Sequence, residues 1–222
     1  MNLAHYGMET VFTISPEVIN VLIVEDEQYF YQICSGLFSQ LKGEDGDFVL
    51  SDRDKIISLP KSSLLIYNYF DLTVNDKKIV SKLIVSLQET IQLTLFKEID
   101  KLSADFANFF EKLNAESDFP LEYDETDPAQ ILLKAMGVKI DEGETLLERL
   151  ISYVEAAHVF LKIQCFFFIN LKTILTEEQL QLFYSEMRQH EIAIFLIENI
   201  EKKKLENEKV VLIDRDLCEI DL

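Results

Sequence analysis

Glycine and proline are scarce in this sequence, and tryptophan is absent. Six glycines and four prolines are spread over 222 residues. Neither of the glycine-rich turns that hold nucleotide phosphates, GxxxxGK[S/T] and GxGxxG, is present. The chain therefore lacks the sequence signatures of a phosphate-loop nucleotide hydrolase and of a dinucleotide-binding enzyme.

Cysteines are also few, and none of them is close to another. Cys34, Cys165 and Cys218 are odd in number and form no CxxC pair, which argues against a disulfide framework and a zinc ribbon. No apolar run reaches the roughly 18 residues of a membrane-spanning helix, and the N-terminal residues do not follow the signal-peptide pattern. We expect a folded protein in the reducing cytoplasm.

Side chains typical of catalytic sites are isolated in the sequence. The three histidines, His5, His158 and His190, lack metal-ligand spacing, and no GxSxG turn or locally activated cysteine is present. The segment LLIYNYFD, ending at Asp71, faintly resembles the strand that carries the Mg²⁺-binding acid of nucleotide hydrolases, but a buried strand end explains it better without a phosphate loop. These observations predict that the protein is not an enzyme.

Acidic residues outnumber basic residues by 40 to 21, and the formal net charge is −19. As an average, this charge argues against nucleic acids and anionic membranes as partners, because phosphate groups are bound by Lys and Arg. The basic residues are unevenly distributed, however, so a local basic surface on an acidic protein stays possible.

Short apolar runs predict a mainly parallel sheet covered by helices, which is an α/β fold. Each run is followed by a polar residue, as expected at the carboxyl end of such a strand. The runs are Val21–Val24, Leu64–Tyr67, Cys165–Ile169, Ile192–Ile197 and, as an edge strand, Val210–Ile213. The N-terminal residues as far as Ile14 alternate and predict an opening strand or hairpin, and Thr176 with Gln179 predicts a capping box.

The middle of the sequence has a helical pattern instead. Apolar residues recur every three or four positions from Ile79 to Leu113, which predicts one long amphipathic helix with at most one break. Further helices are predicted from Pro128 to Met136 and from Thr145 to Phe160. We therefore expect an α/β domain of residues 1–75 and 157–222 with an α-helical insertion of residues 76–156. The long apolar stripe fits either a homo-oligomer or a helical bundle within one chain.

The densest charge in the sequence is the acidic run of residues 116–127, ESDFPLEYDETD. Six carboxylates lie in these twelve residues without a Lys or Arg, and Pro120 and Pro128 prevent one helix from absorbing the segment. Such carboxylates repel one another unless water, salt or a cation screens them. The run is compatible with a Ca²⁺ site, since Ca²⁺ takes six to eight oxygen ligands in irregular geometry. A solvated acidic loop is the alternative, and the local sequence by itself favours that interpretation.

An ordered set of segments resembles a known family. The clearest are LEYDETDPAQILLKAMGVKIDEGETLLERL (Leu121–Leu150), FFFINLKTILTEEQL (Phe166–Leu180) and IAIFLIE (Ile192–Glu198). VLIVED, TVNDKKIVSKLI and EIDKL match more loosely, in the right order. In these segments the chain resembles the second Csn protein family of type II-A CRISPR adaptation, in its short form.

The resemblance implies a fold and a function. Members are non-enzymatic homotetrameric rings with an α/β head, distantly like nucleotide-binding ATPases without the phosphate loop, and an α-helical leg. The ring binds double-stranded DNA through its central hole, engages free ends, and acts in spacer acquisition with the integrase proteins and the effector nuclease. Ca²⁺ ions at acidic residues hold the ring in its DNA-competent form.

Matching positions give the candidate site residues. Glu122, Asp124 and Glu125 lie in the LEYDE match and are the expected Ca²⁺ ligands, together with Asp118. Asp127 and Asp141 are weaker candidates. The expected DNA-binding lysines are Lys82, Lys101, Lys134 and Lys139, each of which is otherwise an ordinary surface charge. A cation that neutralises the acidic run would leave nearby lysines as a positive surface for phosphate.

Two other functions stay open at this stage. The carboxylate run fits an acidic α-helical adaptor that binds protein and makes no DNA contact. The chain also fits, less well, a nucleotide-binding protein that uses Asp71.

Overall fold

Strands alternate with helices in one part of the chain, and helices alone form the other part. The computed structural model describes residues 1–53, 55–122 and 127–222. It divides into two compact units, the α/β unit of Met1–Val74 and Glu142–Leu222 and the helical unit of Asn75–Asp141. The strands are β1 (Asn2–His5), β2 (Phe12–Thr13), β3 (Ile19–Val24), β4 (Phe48–Asp52), β5 (Lys55–Ile57), β6 (Ser63–Ile66), β7 (Cys165–Ile169), β8 (Ala193–Glu198), β9 (Glu208–Ile213) and β10 (Glu219–Asp221). The helices are α1 (Glu27–Leu41), α2 (Leu59–Ser62), α3 (Lys77–Thr94), α4 (Phe96–Glu116), α5 (Pro128–Ala135), α6 (Leu146–Leu161), α7 (Leu171–Ile174) and α8 (Glu177–Gln189).

A six-stranded sheet of order β10-β9-β3-β8-β7-β6 organises the α/β unit. Every pairing is parallel except that of β10 with β9. The predicted α/β fold with a mainly parallel sheet is therefore confirmed. The prediction that Val210–Ile213 forms an edge is wrong, because β10 pairs outside it. Only Ile220 is apolar in that three-residue strand, too short to show a pattern.

A smaller antiparallel sheet has the order β2-β1-β4-β5. The expected N-terminal hairpin is present as the β1–β2 pair, in which Leu3 faces Phe12. Leu3, Phe12 and Leu50 are buried in the same apolar cluster as Phe167 and Phe195 of the larger sheet. This shared cluster makes the two sheets parts of one core.

Strands β3 and β8 are buried at every residue, as continuous apolar runs require when helices or a second sheet cover both faces. Phe195 of β8 contacts the rings of Phe12 at 4.9 Å and Phe167 at 5.5 Å between centroids. Helices α6 and α8 both begin with a capping box, at Thr145 and Thr176. The box predicted at Thr176 is thus confirmed.

The predicted long helix of the helical unit is two helices that meet at a bend of 100°. Leu95 separates α3 from α4 with φ −123° and ψ 25°. Just before it, Thr94 and Thr90 donate their hydroxyls to the carbonyls of Thr90 and Ser86 at 2.7 and 3.0 Å. Hydroxyls bonded to the preceding turn bend helices. No single helix in the described residues is long and apolar enough to span a membrane; α3 and α4 pass that test only as a bent pair, by length and composition.

The second junction between the units differs from the expected position. The structure divides the chain between residues 141 and 142, whereas the sequence pattern puts the end of the insertion at residue 156. The difference is α6, whose Leu150 and Val154 are fully buried and which packs against α8 of the α/β unit. A helical period alone does not tell which unit buries a helix.

Candidate metal centre and nucleic-acid interface

The described part of the acidic run begins with the last residue of α4 and continues toward the start of α5. Helix α4 ends at Glu116, and the chain then turns back along its last turns. The Asn114 side chain accepts a hydrogen bond from the Leu121 backbone N–H at 2.8 Å. The Ser117 hydroxyl accepts another from the Phe119 N–H at 3.2 Å. The first bond ties Leu121 to α4, and the second lies within the turn itself.

This fold-back forms a small cleft of ≈ 290 Å³ in the helical unit. Phe110, Glu111, Asn114, Leu121 and Glu122 line it. Glu122 thus shares a cleft with a second carboxylate, Glu111, which the sequence prediction omits. Glu111 stands one turn before Asn114 on α4, so it faces the same side as the residue that holds the fold-back.

The other predicted metal ligands have different surroundings. Asp118 is exposed in the turn after α4, and Asp124 and Glu125 lie outside the described residues. Asp127 is the N-cap of α5: one carboxylate oxygen accepts from the Ala129 N–H at 3.0 Å, and the other accepts from the Gln88 amide at 2.7 Å. Both oxygens of Asp127 therefore already stabilise the fold.

Within the described residues the structure does not gather three ligands of the acidic run at one point. The group of three whose donor atoms lie within 4.8 Å of one another is elsewhere, in the α/β unit. Asp141 is exposed at the end of the helical unit, beside Ile140, whose backbone N–H and carbonyl bond the Asn75 side chain at 3.0 Å each. The Asn75–Ile140 hydrogen bonds therefore join the two ends of the helical insertion.

All four predicted DNA-binding lysines belong to the helical unit and are exposed. Lys82 lies on α3, Lys101 on α4 and Lys134 on α5, and Lys139 follows α5 just before Ile140. Among the described residues, none of the four forms an ion pair; the Lys–carboxylate pairs there are Lys172 with Glu208 and Lys203 with Glu177. Their ammonium groups are thus available to an anionic partner.

Asp71 does not stand at a strand end. Strand β6 ends at Ile66, and Asp71 is exposed in the loop that leads to α3. The intervening Tyr69 donates its buried hydroxyl to the carbonyl of Ile169 at 2.9 Å. The placement of Asp71 at the end of a buried strand is wrong, because Tyr67 and the residues after it lie outside the strand.

A buried charged network, which the sequence does not reveal, lies in the α/β unit. Lys172 of α7 contacts the Glu208 carboxylate at 2.8 Å, and Glu208 also accepts from the Tyr184 hydroxyl at 2.8 Å and from the Leu205 N–H at 2.8 Å. Glu198, at the carboxyl end of β8, accepts from the Lys172 N–H at 2.9 Å. Lys172 thus bonds Glu198, the last residue of β8, through its backbone and Glu208, the first residue of β9, through its side chain, and Glu198 is 1% exposed.

Burial raises the pKa of Glu198 to about 7, although the Lys172 N–H and ammonium partly offset that effect. Burial also raises the pKa of Tyr184, with Glu208 adding to the shift. The Lys172 ammonium also donates to the Lys203 carbonyl at 2.9 Å, so its charge is held by both Glu208 and a backbone oxygen. We interpret the network as a structural element that ties α7, α8 and the β9 start together.

A sequence model of the CRISPR-associated protein family (Cas_Csn2) matches residues 40–217, which is well over half of the chain. The chain belongs to the Cas_Csn2 family. The match runs through both units and includes the acidic run, all four lysines and β6 to β9. This membership confirms the type II-A CRISPR resemblance and gives the protein a CRISPR-associated role in adaptation. No curated protein matches the chain.

Proposed function

We propose that this Cas_Csn2 protein is a non-enzymatic, sequence-independent double-stranded-DNA-binding protein that engages free DNA ends as a Ca²⁺-stabilised homotetrameric ring. It acts in spacer acquisition in the cytoplasm, with the CRISPR integrase proteins and the effector nuclease as partners. The observation that carries the proposal is the combination, in one helical unit, of a carboxylate run and four exposed lysines without ion pairs among the described residues. The family supplies the biological setting.

The donor chemistry of the run fits Ca²⁺. Carboxylate and amide oxygens are the ligands this cation takes, and Glu122 shares its cleft with Glu111 and Asn114. Asp118, Asp124 and Glu125 are the further ligands in the proposal. Bound Ca²⁺ supplies positive charge that holds these carboxylates together, a role in assembly and not in bond cleavage.

Charge counting links the cation to DNA. Residues 75–141 contain eight lysines, no arginine and thirteen carboxylates, a formal charge of −5. The run of residues 116–127 holds six of those carboxylates, so the rest of the unit has a formal charge of +1. Neutralising the six carboxylates of the run therefore changes the formal charge of the helical unit from negative to positive. Contacts to phosphate without base readout make binding independent of sequence and steeply dependent on salt.

The apolar surface of α4 supports self-association. This 21-residue helix has no buried residue. Phe106, Phe109, Phe110 and Leu113 are all exposed along it, Phe109 at 59%. An exposed apolar patch of this kind marks an interaction surface, and a homo-oligomer in which copies of α4 pack together would bury it.

A gel-shift assay with linear and covalently closed circular DNA, each with Ca²⁺ or chelator, tests the proposal. We expect binding to linear DNA with Ca²⁺ only, because a closed circle offers no end to a ring. Light scattering on the same samples should show a tetramer with Ca²⁺ and smaller species with chelator. Equal binding to both DNAs, or binding in neither condition, would contradict the proposal.

Matched variants locate the site. Glu122→Ala with Asp124→Ala should weaken both the tetramer and DNA binding, whereas Glu89→Gln with Glu98→Gln, exposed carboxylates of the same unit outside the run, should leave both unchanged.

Lys134→Gln should lower the slope of log affinity against log salt by about 1. Lys202→Gln, an exposed lysine of the α/β unit, is its control.

An acidic protein–protein adaptor without DNA contact is the second candidate. The net charge of −19 and the exposed α4 face favour it. A protein that is monomeric, does not shift linear DNA and has the same melting temperature with Ca²⁺ and chelator would support the adaptor instead.

A further inference from the structure

Two packed helices of the α/β unit bring a histidine and two glutamates together at the surface. Glu155 lies on α6, Glu186 lies on α8, and His190 is the residue that follows the last turn of α8. The ligand atoms of the three side chains all lie within 4.8 Å of one another. Among the described residues this is the group of three or more potential ligands that converges in this way.

The imidazole stands between the two carboxylates. Its Nε2 is 3.1 Å from an oxygen of Glu155 and 3.9 Å from an oxygen of Glu186. The three side chains are between 32% and 43% exposed, so one side of the group faces solvent. A metal ion can therefore reach it without opening the core.

The backbone under the group is well packed and hydrogen-bonded. Val154 of α6 and Met187 of α8 are fully buried beside the ligand positions. The end of α8 is fixed by backbone bonds from the His190 N–H to the Glu186 carbonyl at 3.0 Å and from the Ile192 N–H to the Met187 carbonyl at 2.8 Å. Ligands on packed helices lose little freedom when they bind, and Glu186 with His190 has the i, i+4 spacing that places both on one face.

The donor set selects a class of metal. An imidazole nitrogen with two carboxylate oxygens suits Zn²⁺ and other first-row divalent ions, whereas Ca²⁺ takes oxygen ligands. Three protein ligands with an open fourth position for water is a common Zn²⁺ arrangement. This chemistry differs from the all-oxygen site proposed near Glu122, and it lies in the other unit.

We propose that Glu155, Glu186 and His190 bind one Zn²⁺ ion that links α6 to α8 in the α/β unit. The site is independent of the proposed Ca²⁺ ligands. Because metal binds the folded arrangement, Zn²⁺ stabilises this unit by an amount that rises with the logarithm of the free Zn²⁺ concentration above Kd. A simple histidine–glutamate ion pair is the alternative, and it requires no metal.

Titration calorimetry with Zn²⁺ and the absorbance of the Co²⁺-substituted full-length protein test this site. We expect one Zn²⁺ per chain, a Co²⁺ d–d band typical of low coordination number, and a higher melting temperature with Zn²⁺. His190→Gln and Glu155→Gln should each weaken binding at least about tenfold, because even the loss of a group that only supports a ligand costs about 10–100-fold in affinity. Glu201→Gln, an exposed glutamate of the same unit, should bind as the unchanged protein does.

Circular dichroism of each variant in chelator shows whether the fold is intact, and the Gln side chains keep the size of the originals. Glu122→Ala with Asp124→Ala should leave the Zn²⁺ titration unchanged, which separates this site from the proposed function. No Zn²⁺ binding, or binding that survives both His190→Gln and Glu155→Gln, overturns the proposal and leaves the ion pair.

Discussion

The two units of this protein bury their apolar residues very differently. The α/β unit encloses a core rich in aromatic rings, with Phe166, Phe167, Phe168 and Phe195 all fully buried. In the described part of the helical unit, Ile79, Ile84 and Ala129 are the buried apolar residues, while phenylalanines of α4 are exposed. A long apolar stripe on a helix is therefore not evidence that the same chain covers it. The α/β unit buries its own apolar core, whereas the helical unit leaves apolar surface exposed that a partner could cover.

The largest expected effect is on the core of the α/β unit. Phe167→Ala removes a ring that packs against Phe195 at 5.5 Å between centroids. We expect a loss of about 3–5 kcal/mol in the free energy of unfolding, because a buried aromatic leaves a cavity. Urea denaturation measures it. Phe70→Ala, at a loop residue that is 93% exposed, is the control and should change stability little. Similar losses for both variants would contradict a self-contained core.

The second largest effect is expected in the pH dependence of the free energy of unfolding, and it should come from Glu198. Its pKa is raised from 4.5 to about 7 by burial, so the folded state holds a proton that the unfolded state releases above its own pKa. Stability therefore falls as pH rises from about 4.5 to about 7, by at most about 3 kcal/mol at 1.36 kcal/mol per pKa unit. Denaturation at pH 5 and pH 8 measures the difference.

Glu198→Gln is the matched variant for this titration. The amide oxygen can still accept from the Lys172 N–H, but the side chain cannot ionise. The difference in stability between pH 5 and pH 8 should therefore shrink. A variant with the same pH dependence as the unchanged protein would show that another group causes it.

A helix cap gives a smaller effect. The Thr176 hydroxyl accepts from the Gln179 N–H at 3.3 Å, and the Gln179 side chain accepts from the Thr176 N–H at 3.0 Å. Thr176→Ala leaves one helix N–H without its partner and should cost about 1 kcal/mol in the free energy of unfolding. Thr173→Ala, outside the box, should cost less when both are measured by thermal denaturation. Equal costs would mean that the cap contributes no more than an ordinary substitution.

The smallest effect on folding, and the sharpest contrast with Phe167, is expected at Phe109. Phe109→Ala on α4 should change the free energy of unfolding of a single chain by less than about 0.5 kcal/mol, because the ring is already solvated. It should nevertheless shift the oligomer seen by light scattering toward smaller species. Phe70→Ala again serves as the exposed-ring control. Marked destabilisation of the monomer without any change in assembly would contradict the conclusion that α4 exposes its phenylalanines for a partner and not for a core within the chain.

Sequence pattern predicted most of the α/β unit because its strands are buried on both faces. Cys165–Ile169 is a strand with the predicted bounds, since five consecutive apolar residues without helical spacing have few alternatives. The pattern did not predict the short strands β5 and β10, where burial is slight, or β4, in which only Phe48 and Leu50 are buried. It also failed to place α6 in the α/β unit, because the stripe of α6 fits a core in either unit.

Some residues of the candidate sites can be predicted from the sequence, and others are brought together only by the fold. The acidic run and its lysines are visible in sequence because the charges are consecutive or match a family. Glu111 joins Glu122 only because Leu121 folds back onto Asn114, and the helix neighbours Glu186 and His190 gain Glu155 as a third ligand only through the packing of α6. Groups about 35 residues apart in sequence meet only through helix packing.

The sequence by itself determined the α/β class, the Cas_Csn2 family, the absence of a phosphate loop and the charge imbalance of the helical unit, because each is written in consecutive residues or in composition. Tertiary structure alone decided that the middle helix bends by 100° at Leu95, that α4 leaves its phenylalanines exposed and that Glu198 is buried beside Lys172. Those outcomes depend on which surfaces meet in space, and burial sets both the exposure of a ring and the ionisation of a carboxyl.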